Sequence, residues 1–193
     1  MKNKFLSLII PLAIGIFSVN AMAMQASSND EIRESNPAQD VVVAKLLNNY
    51  NKQQKVIRKN AQVHSDAQLA AYVAGAKHEE SPLNLLSPQA QMRFVNSLKF
   101  NEGGVSSFYY ADIESELSSS QAYDLLSVFG LQSSLRFMGN IRVDTQRDRE
   151  VIRAFGGREE GIDVAPPTDH NDYECTGRGT CHEAVGSICT SNC

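Results

Sequence analysis

Residues 87–110 read SPQAQMRFVNSLKFNEGGVSSFYY, and this stretch carries the strongest fold signals in the 193-residue chain. Ser87 followed by Pro88 predicts a helix start. The serine hydroxyl can accept a hydrogen bond from the first turn, and proline lacks an N–H that this turn would leave unpaired. The glycine pair at 103–104 predicts a turn, since glycine adopts positive φ at little cost. Apolar residues flank the turn on both sides, so we expect a short β-hairpin near residues 97–110.

The segments on either side of this stretch have apolar residues at helical spacing. Residues 119–130, SSQAYDLLSVFG, follow a serine that can cap a helix, and they end at a glycine that suits the position after a helix. Residues 146–155, QRDREVIRAF, follow a threonine cap and precede two more glycines. Two further helices are predicted over residues 39–60 and 66–76. The expected fold class is therefore mostly α, with a small helical domain over residues 39–156.

The helix predicted over residues 39–60 has its apolar residues on one side. Lysine and asparagine residues occupy the other side, and the residues at helical spacing on the apolar side are Val42, Val43, Leu46, Leu47, Tyr50, Gln54 and Ile57. This pattern indicates an amphipathic helix.

The two ends of the chain differ in composition from the helical domain. Residues 1–23 combine two lysines, an uncharged apolar run and an A-x-A pattern, which predicts a signal peptide cleaved before Met24 and an exported, periplasmic or extracellular protein. The alternative is an uncleaved anchor, but the run of about 15 apolar residues is shorter than the roughly 20 of a membrane-spanning helix. Residues 24–38 are polar and predict a disordered leader. Residues 157–173 contain adjacent prolines and predict a linker, beyond which lies a cysteine-rich tail, 174–193.

The charge of the chain argues against some classes of partner. Loss of Lys2 and Lys4 with the signal peptide leaves 16 basic against 22 acidic residues, so the net charge changes from −4 to −6. Nucleic-acid binding needs clustered lysine and arginine, and here the basic residues are scattered among acidic ones. We expect no nucleic-acid partner and no membrane span in the mature chain. We also expect no cofactor, because the sequence has no cofactor-binding motif.

All four cysteines of the chain lie in the tail: Cys175, Cys181, Cys189 and Cys193. An even number of cysteines in an exported chain indicates disulfide bonds. The segment contains few apolar residues, so it needs cross-links to hold a shape. Four cysteines permit three pairings, and the sequence does not choose among them. We expect a disulfide-stapled irregular tail.

A metal site is the alternative interpretation of the same cysteines. Together with His170 and His182, the thiolates are of the ligand types that bind zinc. The gaps between successive cysteines are five, seven and three residues, which differ from the paired C-x2-C spacing of zinc ribbons. Export would also expose the thiols to oxidation. We therefore expect no metal ligand.

A cell-wall glycosidase is the enzymatic alternative. Such an enzyme needs a carboxylic acid beside a second carboxylate or a positioned water, and Glu102 before two glycines and an aromatic run loosely resembles such a site. However, an acid before two glycines is also a common turn, and Asp112, Glu114 and Glu116 are typical of a solvated surface or a helix start. The serines lack the G-x-S-x-G context of a nucleophile. We expect no catalytic residue.

The leading functional hypothesis is a non-catalytic exported protein that binds a partner, either a protein or an envelope component, through the cysteine-rich tail. A second hypothesis is a precursor that releases residues 158–193 as a disulfide-stapled antimicrobial or signalling peptide. The glycine pair at 156–157 and the proline linker would then mark the cleavage region. A helix stop is the simpler explanation of these two glycines.

Overall fold

A computed structural model describes residues 37–76, 81–156 and 169–193. The predicted signal peptide, nearly all of the predicted leader and most of the predicted linker lie outside these residues. The helices run α1 (Pro37–Lys59), α2 (Asp66–Ala76), α3 (Pro88–Ser97), α4 (Ala111–Glu116), α5 (Ser119–Val128) and α6 (Gln146–Phe155), with two 3-10 helices at Pro82–Leu85 and Gln132–Phe137. The strands are β1 (Lys99–Asn101), β2 (Gly104–Tyr109), β3 (His170–Gly177) and β4 (Thr180–Cys189). No helix in the described ranges has the length and apolar character needed to cross a membrane.

The predicted helix caps are present in the structure. The Ser87 hydroxyl accepts a hydrogen bond from the backbone N–H of Ala90, so α3 begins at the proline that follows. At α6 the Thr145 hydroxyl accepts from the N–H of Asp148, and the Asp148 carboxylate accepts from the N–H of Thr145. This reciprocal pair satisfies two donors that a helix start would otherwise leave unpaired.

Asp148 also joins α6 to the start of α5. Its fully buried carboxylate accepts hydrogen bonds from the Ser118 hydroxyl at 2.8 Å, the Ser120 N–H at 2.8 Å and the Thr145 hydroxyl at 2.7 Å. Burial by itself raises the pKa of this carboxyl, but the hydrogen bonds from Ser120, Thr145 and Ser118 outweigh burial and hold the pKa well below its ordinary value. Asp148 is therefore an ionised structural acceptor inside the helical part of the protein.

The apolar core lies where α3, α5 and β2 meet. Phe94 of α3 packs edge-on against Phe108 of β2 and Phe129 at the end of α5, with ring centroids 6.3 and 5.4 Å apart. All three rings are at most 1% exposed, and Leu125 and Leu126 of α5 are fully buried beside them. Edge-to-face aromatic packing is a favoured arrangement of such rings, so these contacts fix the helices against the strand.

The helix α1 has nearly the predicted bounds, and only part of its predicted apolar side is covered, since Leu47, Tyr50 and Gln54 are half-buried. Val42 and Leu46 of the apolar side are 58% and 64% exposed, whereas Arg58 is 1% exposed. The last turn of α1 passes close to Gly104 and Gly130, both at positive φ, where an added Cβ would lie 2.8 Å from Arg58 backbone atoms. Glycine at these two positions therefore supplies a backbone conformation and also the space that lets α1 end against the core.

The four strands form one antiparallel sheet in the order β1-β2-β4-β3. The hairpin predicted near residues 97–110 is confirmed as β1 and β2, with Phe100 opposite Val105. The expectation of an irregular tail is wrong, because β3 and β4 form a second hairpin and β4 pairs with β2, Ile188 lying opposite Phe108. The fold is thus helices around a small antiparallel sheet, and mostly α describes it only roughly.

Candidate functional site

The second hairpin and the residues that follow it, 169–193, are called the cysteine hairpin below. It contains two disulfides, Cys175–Cys193 and Cys181–Cys189. The predicted disulfides are confirmed, and the structure selects one of the three possible pairings. The sulfur atoms of Cys175, Cys189 and Cys193 lie within 4.8 Å of one another, so the two bonds are side by side.

The Cys181–Cys189 disulfide requires an unusual path of β4. Its two cysteines are eight positions apart, and their Cα atoms are 6.0 Å apart. A straight strand would cover roughly 26 Å over eight steps. The pairing with β3 shows where the chain turns aside, because Asn171 lies opposite Ile188 and the next pair joins Tyr173 to Glu183. Residues 184–187 therefore leave the pairing with β3 in an excursion that the disulfide closes, and Ser187 lies opposite Tyr109 of β2.

The excursion is fixed to the helical part of the protein at Gly186. Its carbonyl accepts a hydrogen bond from the N–H of Tyr110 at 2.7 Å, and its N–H donates to the Asp172 carboxylate at 2.9 Å. Gly186 is buried at φ +79, and a Cβ there would lie 2.7 Å from the ring of Tyr109. Neighbouring Val185 is left 88% exposed. The hydrogen bonds at Gly186 thus hold the backbone in place while the apolar side chain of Val185 faces solvent.

Tyr110 also helps to hold the excursion through its contact with Asp172. Its side chain is buried, and its hydroxyl donates to the Asp172 carboxylate at 3.5 Å. Burial and the nearby negative charge of Asp172 raise the pKa of Tyr110 to about 12. The tyrosine is therefore neutral over the physiological pH range and keeps its donor.

Arg58 of α1 binds both ends of the cysteine hairpin. Its Nη2 lies 2.5 Å from the Asp169 carboxylate, and its Nη1 donates to the Ser191 hydroxyl at 2.7 Å. The N–H of Ser191 in turn donates to the other oxygen of Asp169 at 2.8 Å. Because Arg58 and Asp169 are 1% and 8% exposed at their side chains, this ion pair is shielded from solvent and links the hairpin to the helical part.

The last residues of the cysteine hairpin continue the contacts with β2. The N–H of Thr190 donates to the Ser106 carbonyl at 2.9 Å, and the Asn192 amide donates to the Gly103 carbonyl at 2.7 Å. Gly179 at the hairpin turn donates its N–H to the Cys193 carbonyl at 2.6 Å. The C-terminal residue Cys193 is therefore hydrogen-bonded to the turn between β3 and β4.

The outer part of the cysteine hairpin is exposed and mixed in chemistry. We call it the hairpin tip, and it comprises residues 176–183 together with Val185. Arg178, His182 and Glu183 are exposed there, and Lys99 forms a half-exposed ion pair with Glu174 at 3.0 Å. Strand β3 is an edge of the sheet, so its outer backbone groups face away from β4. Such an edge can accept an added strand from a partner.

The residues of the alternative sites are placed as follows. Glu102 is exposed in the turn between β1 and β2. The other three acids accept hydrogen bonds from neighbouring elements: Asp112 from Arg93 at 2.7 and 2.8 Å, Glu114 from the N–H of Asn140 at 2.7 Å, and Glu116 from the N–H and hydroxyl of Ser87 at 2.7 and 2.8 Å. Each of the three therefore holds two segments of the chain together. His170 packs edge-on near Tyr173, with ring centroids 6.2 Å apart, and all four cysteine sulfurs are used in disulfides.

No protein-family model, curated protein or solved structure matches this chain. Sequence reasoning missed two residues that organise the site, Arg58 and Asp172. A signal existed for Asp172, since aspartate is among the residues that tolerate positive φ, and its φ is +61. Arg58 gave no signal, because an arginine in an amphipathic helix normally points to solvent.

Proposed function

We propose that this chain is an exported, non-catalytic protein that binds a partner, a protein or an envelope component, through the hairpin tip. One observation carries the proposal. The cysteine hairpin is held by two disulfides, an ion pair and several backbone hydrogen bonds, yet Ile188 and Cys189 are the hydrophobic residues that it buries. Its defined shape therefore contributes little apolar burial to the rest of the fold, and a role at the surface explains it better.

The disulfides preorganise the hairpin tip for binding. A flexible loop loses conformational entropy when a partner orders it, whereas a cross-linked loop has already lost that entropy. Each disulfide here restricts the loop before binding. The tip then offers an apolar anchor at Val185 and charged groups at Arg178 and Glu183, and the outer edge of β3 lies next to it. This combination suits a protein partner, because the tip is a turn flanked by exposed residues.

The disulfides are consistent with an oxidising compartment, which supports the export part of the proposal. The same contacts favour a binding role over a released peptide. Residues 169–193 share a sheet with β2 and an ion pair with Arg58, so release would separate a packed interface and expose Ile188.

Site-specific photo-crosslinking in the producing cells tests the proposal. A photoreactive residue replaces Val185 in the tip or, as a matched control, Met92, which is 58% exposed on α3. We expect a discrete cross-linked product from position 185 and none from position 92. Excess unlabelled protein should abolish that product, and excess Val185→Glu protein should not. The same product from both positions, or competition by the Val185→Glu protein equal to that by wild type, would contradict a contact at the tip.

A further inference from the structure

Four apolar side chains form a row along the solvent side of α1. Successive residues of an α-helix are turned by about 100°, so residues 42, 46, 56 and 57 fall within an arc of about 100°. Their exposed fractions lie between 36% and 64%, and we call Val42, Leu46, Val56 and Ile57 the apolar row. Buried Arg58, which joins α1 to the cysteine hairpin, lies on the far side of the helix. The apolar row is therefore not part of the core.

Four lysines lie beside the apolar row, spread over roughly 21 Å of helix. Lys45, Lys52, Lys55 and Lys59 are all exposed, and residues 41–59 contain no aspartate or glutamate. None of the four lysines forms an ion pair within residues 37–76, 81–156 and 169–193. The whole chain has a net charge of −4, so α1 concentrates positive charge on a protein that is acidic overall.

The chemistry of this face favours an anionic lipid surface. Lysine ammonium groups act as point charges and lack the planar fork with which arginine binds a single carboxylate or phosphate. Their stems can cover apolar surface while the charge stays in water. A nucleic acid would use the lysines and leave the apolar row in water. A partner helix would bury Asn49 and Gln53, which interrupt the row and are exposed, whereas hydrated headgroups can bond their amides.

We propose that α1 lies flat on a bilayer that contains anionic lipids, with the apolar row toward the acyl chains and the lysines among the headgroups. Amphipathic helices with a basic polar face bind membranes in this way, and both the apolar area and the charge contribute to their affinity. The hairpin tip shares no residue with this face. The chain therefore has a membrane-binding face that is separate from the surface proposed above for a partner.

Co-sedimentation with lipid vesicles tests this proposal. The protein is purified from the cells that produce it, and the vesicles contain either phosphatidylcholine alone or equal parts of phosphatidylcholine and phosphatidylglycerol. We expect the protein to bind the mixed vesicles, and to bind phosphatidylcholine alone at least about tenfold more weakly. High salt should weaken binding to the mixed vesicles, because it screens exposed charges. No binding to the mixed vesicles would overturn the proposal.

Two charge variants separate α1 from the rest of the surface. Lys45→Gln together with Lys52→Gln should weaken binding to the mixed vesicles by about tenfold or more, since each lysine near an anionic membrane contributes about fivefold. The matched control is Arg149→Gln together with Arg153→Gln, which removes the same charge from exposed positions of α6. This control should bind nearly as wild type does. An equal loss in both double variants would contradict a specific role of α1.

A third variant tests the apolar row. Leu46→Gln should weaken binding by about fivefold or more through lost apolar burial, whereas Met92→Gln, at a similarly exposed side chain of α3, should have no effect. Full binding by Leu46→Gln would show that the apolar row does not enter the bilayer, and would contradict the proposal. Sedimentation velocity without lipid checks the competing occupant. A dimer that Leu46→Gln dissociates would assign this face to a second copy of the chain instead.

Discussion

The helical body, residues 37–156 where they are described, and the cysteine hairpin, residues 169–193, hold their shapes by different means. The body buries a continuous set of apolar side chains centred on Phe94 and Phe129. The hairpin adds Ile188 to that cluster and otherwise depends on two disulfides and on polar anchors at Asp169 and Gly186. The difference shows how a short polar segment can keep a defined surface without a core of its own.

Side chains of the body core and of the hairpin tip also differ in how well the fold tolerates their substitution. Core residues of the body are constrained by packing on all sides. Tip residues such as Arg178 and Val185 are exposed, and the backbone beneath them is fixed by cross-links. Substitutions at these tip positions should therefore have little effect on the fold.

The largest expected effect lies in the body. Phe94→Ala removes a fully buried ring that contacts Phe108 and Phe129. We expect a loss of about 3–5 kcal/mol in the free energy of unfolding, from lost burial and the cavity left behind. Urea denaturation measures it. Met92→Ala on the same helix, at a side chain that is 58% exposed, should cost less than about 1 kcal/mol, and an equal cost at both positions would contradict the assignment of the core.

The next effect lies at the junction of the two regions. Asp169→Asn leaves the buried guanidinium of Arg58 without its counter-charge, and we expect a loss of about 3 kcal/mol. The matched control is Asp124→Asn, whose partner Arg147 is 59% exposed at its side chain and whose loss should cost less than about 1 kcal/mol. Addition of Arg58→Met to Asp169→Asn should recover part of the loss. A similar small cost for both aspartates would mean that the buried pair does not join the hairpin to the body.

The third effect belongs to the cysteine hairpin. Replacement of Cys175 and Cys193 by alanine removes the disulfide between two residues that are 18 positions apart. We expect this change to lower the free energy of unfolding by about 3 kcal/mol. Limited proteolysis should then cut the variant within residues 169–193 while α5 stays intact. Cuts distributed evenly over the chain would show that the hairpin and the body do not differ in the way described.

The smallest of the four is a pH effect confined to the body. Because the pKa of Asp148 is lowered by folding, its contribution is fully present above its unfolded pKa of about 4 and is lost as pH falls below that value. Asp148→Asn should therefore cost about 2 kcal/mol at pH 7, the scale of a hydrogen bond to a charged group. The difference from wild type should shrink as pH falls below about 4. A difference that stays constant from pH 7 to pH 2 would show that the charge of Asp148 does not matter.

The sequence predicted the parts of this fold that carry local signals. The caps at Ser87 and Thr145, the turn between β1 and β2, and the existence of disulfides followed from residue types that favour one local conformation. Strands β3 and β4 were missed because their residues are polar and lack the alternation of a half-buried strand. Strand β3 pairs with β4 across a short turn, and β4 pairs with β2. The contacts that hold this hairpin to the body, at β2, Arg58 and Tyr110, join residues distant in sequence.

The same distinction explains what sequence reasoning could reach at the candidate sites. It predicted disulfides in the cysteine-rich segment, but it could not choose their pairing or foresee the excursion at residues 184–187. It also assigned α1 an apolar side that is largely exposed at Val42 and Leu46. The space beside Gly104 and Gly130 lets the end of α1 at Arg58 pack inward, and that packing is a property of the assembled chain.

The most direct test of the contrast is amide hydrogen exchange across the whole chain, followed with and without a dithiol reductant. Exchange reports local opening free energies segment by segment. We expect reduction to release the amides of residues 173–185 to fast exchange while those of α5 keep their protection. Equal loss of protection in the hairpin and in α5, or no change in either after complete reduction of both disulfides, would contradict it.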